Sequence, residues 1–358
     1  MQTNNNKHRF SFNWTLKDAI FTKDKGKVFS CFSCGGGSTM GYKLAGFDVV
    51  GCNEIDPKMM EAYKGNHHPK YSYLEDIRNF KLHNDLPKEL YELDILDGSP
   101  PCSSFSMAGN REKDWGKDKV FREGQAMQIL DTLFFDFIDL AKKLQPKVVV
   151  AENVKGLLLG DAIQYVRQIY KDFDLAGYYC QHFLLDASKM GVPQKRERVF
   201  FVALRKDLAG QFLFHSGLWE MSPLLRMDFK EKEIKYGEVK TELGRKASPL
   251  YYERWNNRKD VDSSFGDITF RLNGTGSCFS DVFAKNNTPL PTITSKGGIY
   301  DFENGCFISD NSFIKGGSFP LDYNFMNNKV SYLIGMSVPP VMMANVATEI
   351  YEQWLSKI

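Results

Sequence analysis

Long apolar runs are missing from this chain of 358 residues. No stretch approaches a membrane span of about 18 apolar residues, and the amino terminus has no apolar core of a secretory signal. A cytoplasmic protein is expected, with neither membrane insertion nor Sec-dependent export. Cysteine is sparse and unpatterned: there are seven, an odd number, scattered without the spacing of a small disulfide scaffold. They read as reduced thiols. Cys31 and Cys34 form the one close pair, and no second pair completes a zinc site, so no metal is expected. A dominant charge is lacking as well: 46 Lys and Arg against 44 Asp and Glu leave +2. That balance neither demands nor excludes nucleic acid, because a basic groove can be offset by acidic surface elsewhere. Two nucleotide signatures are also absent, Gly-x-Gly-x-x-Gly and the Gly-Lys-Ser/Thr of a phosphate loop.

What is present is alternation. Val28 to Ser33, Asp48 to Asn53, Leu93 to Asp97 and Val148 to Glu152 are short apolar or β-branched runs ending in small or polar residues. Helical patterns lie between and after them, at Thr39 to Ala45, Pro57 to Asn66, Gln125 to Leu144 and Asp161 to Phe173. The pattern from Gln125 is the clearest, with Ile129, Leu133, Phe137, Leu140 and Leu144 at three- and four-residue spacing. Tyr179 to Leu185 and Val199 to Leu204 read as two further strands. Such a sequence predicts an α/β fold, a mostly parallel sheet with helices on both faces. The expected divisions are a polar extension over 1–26 with a short helix near Trp14 to Ile20, a sheet domain over 27–205, a smaller irregular β-rich domain over 206–325, and a segment 326–358 whose helix returns to the sheet domain.

Three segments carry candidate chemistry. In Asp97-Gly98-Ser99-Pro100-Pro101-Cys102-Ser103-Ser104, two prolines stop the chain after a buried strand and hold Cys102 on a stiff loop. Open α/β sheets build their sites at that end of the strands. Ala151-Glu152-Asn153-Val154 places a carboxyl group at another strand end, and Gln194-Lys195-Arg196-Glu197-Arg198 supplies positive charge that favours a thiolate. Phe32-Ser33-Cys34-Gly35-Gly36-Gly37 turns tightly between the first strand and its helix, so a ligand can approach the backbone. Glu54 ends the second strand, where a carboxylate can accept both hydroxyls of a ribose. Asp76-Ile77 falls where a third strand would end, suited to an adenine edge and face.

Taken together these segments resemble the cytosine-C5 DNA methyltransferases, of the bacterial or phage restriction–modification type. The resemblance is strong over residues 27–205 and partial over 290–350. It implies the Rossmann-like fold of methyltransferases that use S-adenosylmethionine and release S-adenosylhomocysteine. By that resemblance Phe32, Ser33, Gly35, Gly36, Gly37, Glu54, Asp76, Ile77, Pro101, Leu133, Ser337 and Val338 meet the cofactor. Cys102 is the nucleophile, Glu152 a protonated carboxyl facing the cytosine ring, Asn153 a brace for the Cys102 loop, and Arg196 and Arg198 the positive neighbours. Ser103, Ser104, Gln194 and Thr292 fall to the substrate. Ser103 to Arg122 resembles the family's mobile active-site loop, with basic residues for phosphates, and 206–325 its target-recognition domain.

The implied substrate is double-stranded DNA with the cytosine flipped out, the implied state a monomer, with a separate cognate endonuclease as a possible companion. Two departures stand out: Cys34 occupies a position usually glycine, and Gly335-Met336-Ser337-Val338-Pro339-Pro340 has Met336 for the family's asparagine. Three other readings stay open. One is a tRNA cytosine methyltransferase, because Cys278-Phe279-Ser280 is faintly similar to that branch. The others are a DNA-binding relative without catalysis and a nicotinamide-dependent oxidoreductase, which gives no joint role to Cys102, Glu152 and Arg196.

Overall fold

A computed structural model describes residues 8–101, 132–215, 221–277 and 281–358, with the backbone of 118–119 and 128–129 between them. The chain divides into two compact units. One comprises Ile20–Leu185, Glu197–Asp228 and Met343–Ile358, and the other Met1–Ala19, Asp186–Arg196 and Phe229–Met342.

The first unit is built on a seven-stranded sheet. Its elements in chain order are β1 (Lys27–Cys31), α1 (Gly37–Leu44), β2 (Asp48–Glu54), α2 (Pro57–His67), β3 (Tyr71–Leu74), α3 (Ile77–Phe80) and β4 (Ile95–Gly98). There follow α4 (Leu133–Leu144), β5 (Val148–Val154), α5 (Ile163–Leu175), β6 (Tyr178–Asp186) and β7 (Glu197–Arg205). The strand order is β3-β2-β1-β4-β5-β7-β6. Pairings from β3 through β5 are parallel, and β7 runs antiparallel to β5. The order reverses between β1 and β4, the switch point at which open α/β sheets form a crevice. Register makes this crevice level. Cys31 lies opposite Asn53 and Gly98, and Gly98 opposite Ala151, so the residues after each strand emerge side by side.

Sequence explains most of these elements locally. Ile95 and Leu96 of β4 and Val148 to Ala151 of β5 are apolar on both faces, as strands covered by helices on both sides must be. Asp56 caps α2 by accepting from the amides of Lys58 and Met59, and Pro57 sits at its first turn. The apolar stripes of α4 and α5 bury Phe134, Phe137, Leu140 and Leu144, and Tyr165, Ile169 and Phe173, in one core with Phe29, Leu96, Val149 and Phe201.

Three local expectations are corrected. The helix expected from Gln125 begins at Leu133, and Gln128–Ile129 instead pairs with Asp118–Lys119 as a two-residue ribbon. Ile129 continues the three-and-four spacing by coincidence, since periodicity marks a helix face but not its start. Trp14 to Ile20 forms a turn rather than a helix. Its polar groups are taken elsewhere, the Trp14 indole donating to the Ser318 carbonyl and the amides of Leu16 and Lys17 to Asp322. Among the described residues one helical run, Val330–Lys357, is long and apolar enough to cross a membrane, but its most apolar window is 78% buried, as a core helix would be.

The second unit carries a four-stranded sheet ordered β8 (Leu243–Lys246), β11 (Cys306–Ile308), β10 (Ile299–Asp301), β9 (Val282–Ala284). It is more helical than its turn-rich sequence implies, with α6 (Pro249–Asn256), α7 (Phe265–Asn273), α8 (Asp310–Gly316) and α9 (Val330–Met336). The signal for α7 was legible: Ser264 and Asp267 form a reciprocal capping box, and Gly274 closes the helix in the left-handed conformation. Trp255, Phe265, Ile268, Phe283, Tyr300 and Phe302 make this unit's aromatic core.

The boundaries also differ from those drawn at 205 and 325. Segment 186–196 belongs with the second unit because Gln194, Lys195 and Arg196 bond to residues 290–293 and 335–337. Residues 197–228 stay with the sheet, where the Trp354 indole donates to the Leu224 carbonyl and Gln353 bonds Arg226. The last helix, α10 (Pro340–Gln353), enters the sheet unit, Tyr351 setting its ring edge-on against Phe47.

Candidate active site

The loop after β1 is shaped by left-handed backbone. Phe32 (φ 51°), Cys34 (φ 48°) and Gly36 (φ 83°) all take positive φ. The Ser33 amide donates to the Asn53 carbonyl at 3.3 Å, and the Gly36 amide closes the turn on the Ser33 carbonyl at 2.8 Å. Gly36 is required twice over: its φ disfavours any side chain, and an added Cβ would collide with the His67 imidazole. That imidazole is buried, which pushes its pKa down to about 3, so it packs behind the turn as a neutral ring. Cys34 explains its own oddity, since a left-handed residue is where relatives would favour glycine. A G36A variant is expected to lose at least about tenfold in cofactor affinity, because the αL strain and the clash are each worth on the order of 1 kcal/mol or more; titration calorimetry reads it.

Glu54 is buried at the end of β2, and its carboxylate is wired to this loop. Oε2 accepts from the Cys34 amide at 2.7 Å, and Oε1 from the amides of Ile55 and Asp56 at 2.9 Å each. Burial pushes its pKa above the ordinary value, and the three amide donors hold it back. Asp76 caps α3 two residues beyond β3, and the Arg78 guanidinium grips it, Nη2 to Oδ2 at 2.6 Å. Burial alone would raise this carboxyl, but the Arg78 hydrogen bonds and charge hold it below the usual range. Ile77 is buried, the Phe32 ring lies 6.4 Å from that of Phe137, and Leu133 sits wholly inside the core at the start of α4. A Gly-rich turn, a buried strand-end carboxylate and a partly buried ring at one crevice fit an adenosine-bearing cofactor, with Asp76 already engaged.

At β4 the chain leaves the sheet through Gly98, where a Cβ would stand 2.6 Å from the Phe137 ring. Asn153 reaches across from β5, its Nδ2 donating to the Pro100 carbonyl at 3.1 Å, while its Oδ1 accepts from the Val154 amide. Beside it, Glu152 meets the guanidinium of Arg198 on β7, Nε to Oε1 at 2.9 Å. Both side chains are largely buried, with 11% and 16% of their surface exposed. Burial draws the Arg198 pKa down and the adjacent Glu152 charge opposes it. Arg198, expected as a positive neighbour of the nucleophile, is thus engaged by Glu152.

The remaining expected residues fall elsewhere. Cys102, Ser103 and Ser104, the stretch to Arg122 apart from the backbone of 118–119, and Cys278-Phe279-Ser280 lie outside the described residues. Gln194, Arg196, Thr292, Ser337 and Val338 lie in the second unit. Arg196 is buried and donates to the carbonyls of Ile293, Gly335 and Ser337, each at 3.0 Å. Gln194 is spanned between the Ile293 amide and the Gly316 carbonyl, and the Thr292 hydroxyl donates to the Lys195 carbonyl. Within this unit these residues tie segment 186–196 to the stretch that precedes Pro339. Among the described residues no cluster of His, Cys, Asp or Glu could hold a metal ion.

Sequence reasoning missed Asp97 and His67. Asp97 read as a strand end, and His67 lay one residue past the helix expected over Pro57 to Asn66; only burial against neighbouring elements marks them out.

The model of the C-5 cytosine-specific DNA methylases matches residues 26–352. The chain belongs to this family. Among curated relatives, the type II methyltransferase M.FnuDI of Fusobacterium nucleatum is 40% identical over 183 residues, 51% of this chain and 48% of that protein. M.NgoPII of Neisseria gonorrhoeae is 39% identical over 192 residues, 53% and 51% of the two chains. The chain spans about half the length of these relatives. A third, M.NgoFVII of N. gonorrhoeae, is 26% identical over 92% of this chain and 87% of its own. Among solved structures, a variant of Spodoptera frugiperda DNMT2 superposes with a TM-score of 0.58 at 18% identity, over 91% of this chain and 99% of that one. S. pombe Dnmt2 methyltransferase gives 0.56 at 15%, over 91% and 98%. The fold is shared with these C5 methyltransferase-like proteins: α/β, with a mostly parallel central sheet.

Proposed function

We propose that this member of the family transfers a methyl group from S-adenosylmethionine to C5 of a cytosine in a specific sequence of duplex DNA. One observation carries the reading: Asn153 and Glu152, adjacent on β5, respectively hold the carbonyl of Pro100 and pair with Arg198, immediately beside the strand end that leads to Cys102. A carboxyl, a guanidinium and the strand end whose chain runs on to Cys102 then share one rim of the sheet. Family membership and the type II names of its relatives support placing it in restriction–modification; a cytoplasmic monomer beside a separate endonuclease is part of the same proposal.

Cytosine C5 is a poor nucleophile, so the ring must first be activated. In this reading the Cys102 thiolate adds to C6, Glu152 hydrogen-bonds N3 and the exocyclic amino group to neutralise the charge that develops, and Arg198 fixes Glu152 in place. The cofactor supplies an electrophilic methyl group when bound. Water takes the C5 proton as the C6–S bond breaks, which expels the thiolate and restores the aromatic ring. Phe32, Ser33 and the Gly35–Gly37 turn hold the adenosine and methionine parts, with Glu54 on the ribose; Asp76, Ile77 and Pro101 complete that surface. The base must leave the duplex, at a cost of roughly a few kcal/mol, and Ser103, Ser104, Gln194 and Thr292 contact the opened DNA. Arg196 acts at a distance by holding the backbone around Ser337.

The test is transfer of radiolabelled methyl from S-adenosylmethionine to duplex DNA of varied sequence and, in parallel, to tRNA. Label recovered as 5-methylcytosine in DNA is the expected result. Label in tRNA alone would move the same chemistry to RNA, and label in neither, with cofactor bound, would leave a DNA-binding relative without catalysis.

A further inference from the structure

Asp97 is a buried acid that the chemistry above leaves without a task. It lies on β4 directly opposite Ser30 of β1 and is 1% exposed. Its Oδ2 accepts from the Ser30 hydroxyl at 2.7 Å and its Oδ1 from the Tyr42 hydroxyl of α1 at 3.2 Å. Burying a carboxyl group in a core is costly unless its oxygens are satisfied, and here donors from two elements converge on it. Burial pushes its pKa up to about 7; the Ser30, Tyr42 and Ser38 hydroxyls pull it down and the charge of Glu152 pushes it up. The titratable groups around it are Cys31 on β1, Tyr42 on α1, Tyr63 on α2 and Glu152 on β5. Burial drives the first three well above their ordinary values, which leaves the Glu152–Arg198 ion pair as the charged neighbour.

We propose that Asp97 is a positioning residue for methyl transfer, clamping the strand end that leads into Pro100-Pro101-Cys102 to the helix that opens at the cofactor turn. This rests on the methyltransferase reading above. The clamp depends on protonation. An ionised carboxylate accepts from both hydroxyls at once, whereas the neutral acid must turn one oxygen into a donor and so lose or reverse one arm. Turnover therefore falls as pH drops through neutrality, apart from any contribution of the catalytic groups themselves.

Wild type, D97N and Y42F are compared by kcat for DNA methylation from about pH 6 to about pH 8.5, with S-adenosylmethionine affinity measured alongside. The amide of D97N cannot ionise, so kcat at the upper end is expected to drop about tenfold, and its decline towards pH 6 to flatten. Cofactor affinity should stay within about threefold. Y42F removes one arm and keeps the acid, so it should slow turnover several-fold with the pH dependence retained. A D97N profile parallel to wild type, or a Y42F rate equal to it, would overturn the proposal, as a purely structural role moves stability and not the profile.

If wild type methylates nothing, the methyltransferase reading has failed separately, and the clamp is judged by melting temperature. A carboxyl whose folded pKa lies above its unfolded one contributes stability below about pH 4 that is lost as pH rises through about 7. D97N should therefore gain on wild type between pH 5 and pH 8, and a constant difference would rule out a titrating clamp.

Discussion

Alanine in place of Cys102 is expected to lower methyl transfer by at least about 10³-fold, with S-adenosylmethionine binding nearly unchanged. The loss is large because, in the proposed mechanism, addition of the Cys102 thiolate at C6 is the step that makes C5 of the base nucleophilic. A bound methyl donor and a well-oriented base still lack the electron density that addition at C6 supplies. Binding survives because the cofactor turn is built from β1, α1 and β2, whose hydrogen bonds close among Ser33, Cys34, Asn53 and Glu54 without the Cys102 loop. Single-turnover transfer of labelled methyl, with calorimetry for the cofactor, measures both. Turnover close to wild type would remove the covalent mechanism, and joint loss of binding would assign Cys102 to the architecture of the loop.

The second large effect separates chemistry from packing at Glu152 and Arg198. E152Q keeps an oxygen to accept from the Arg198 Nε but surrenders the acid, so kcat should fall about 10² to 10⁴-fold while DNA affinity changes little. R198A strands a carboxylate whose side chain is only 11% exposed. Removing one partner of a largely buried pair costs about 3 kcal/mol or more, so R198A should unfold at lower denaturant as well as lose rate. Urea unfolding and kcat, measured on both variants, distinguish them. If E152Q weakened DNA binding more than it slowed the chemical step, Glu152 would be a structural residue rather than the ring's acid.

These two expectations also show how far a linear reading reaches. Strand ends are legible because an apolar run that stops at Gly98, or at Glu152, records both burial and its interruption locally. The capping of α2 by Asp56 and of α7 by Ser264 is legible for the same reason, since each is a bond between residues two or three apart. The start of α4 was not, because a three-and-four spacing continues through Ile129 whether or not the backbone there is helical. Nor were the unit boundaries. Segment 186–196 is assigned by bonds to residues about a hundred positions and more away, such as Gln194 to Ile293 and Arg196 to Ser337.

Order and residue type along the chain were enough for the α/β class, the crevice at the strand ends and the family, because those depend on short periodicities and on compact motifs. Partnership was decided in three dimensions. That Glu152 faces Arg198, that Asp76 is held by Arg78, that His67 fills the space behind Gly36 and that Asp97 is buried between two hydroxyls depend on which strands and helices become neighbours. The physical reason is that burial and hydrogen bonding are properties of a packed environment, and a side chain's proton affinity follows from that environment rather than from its neighbours in sequence.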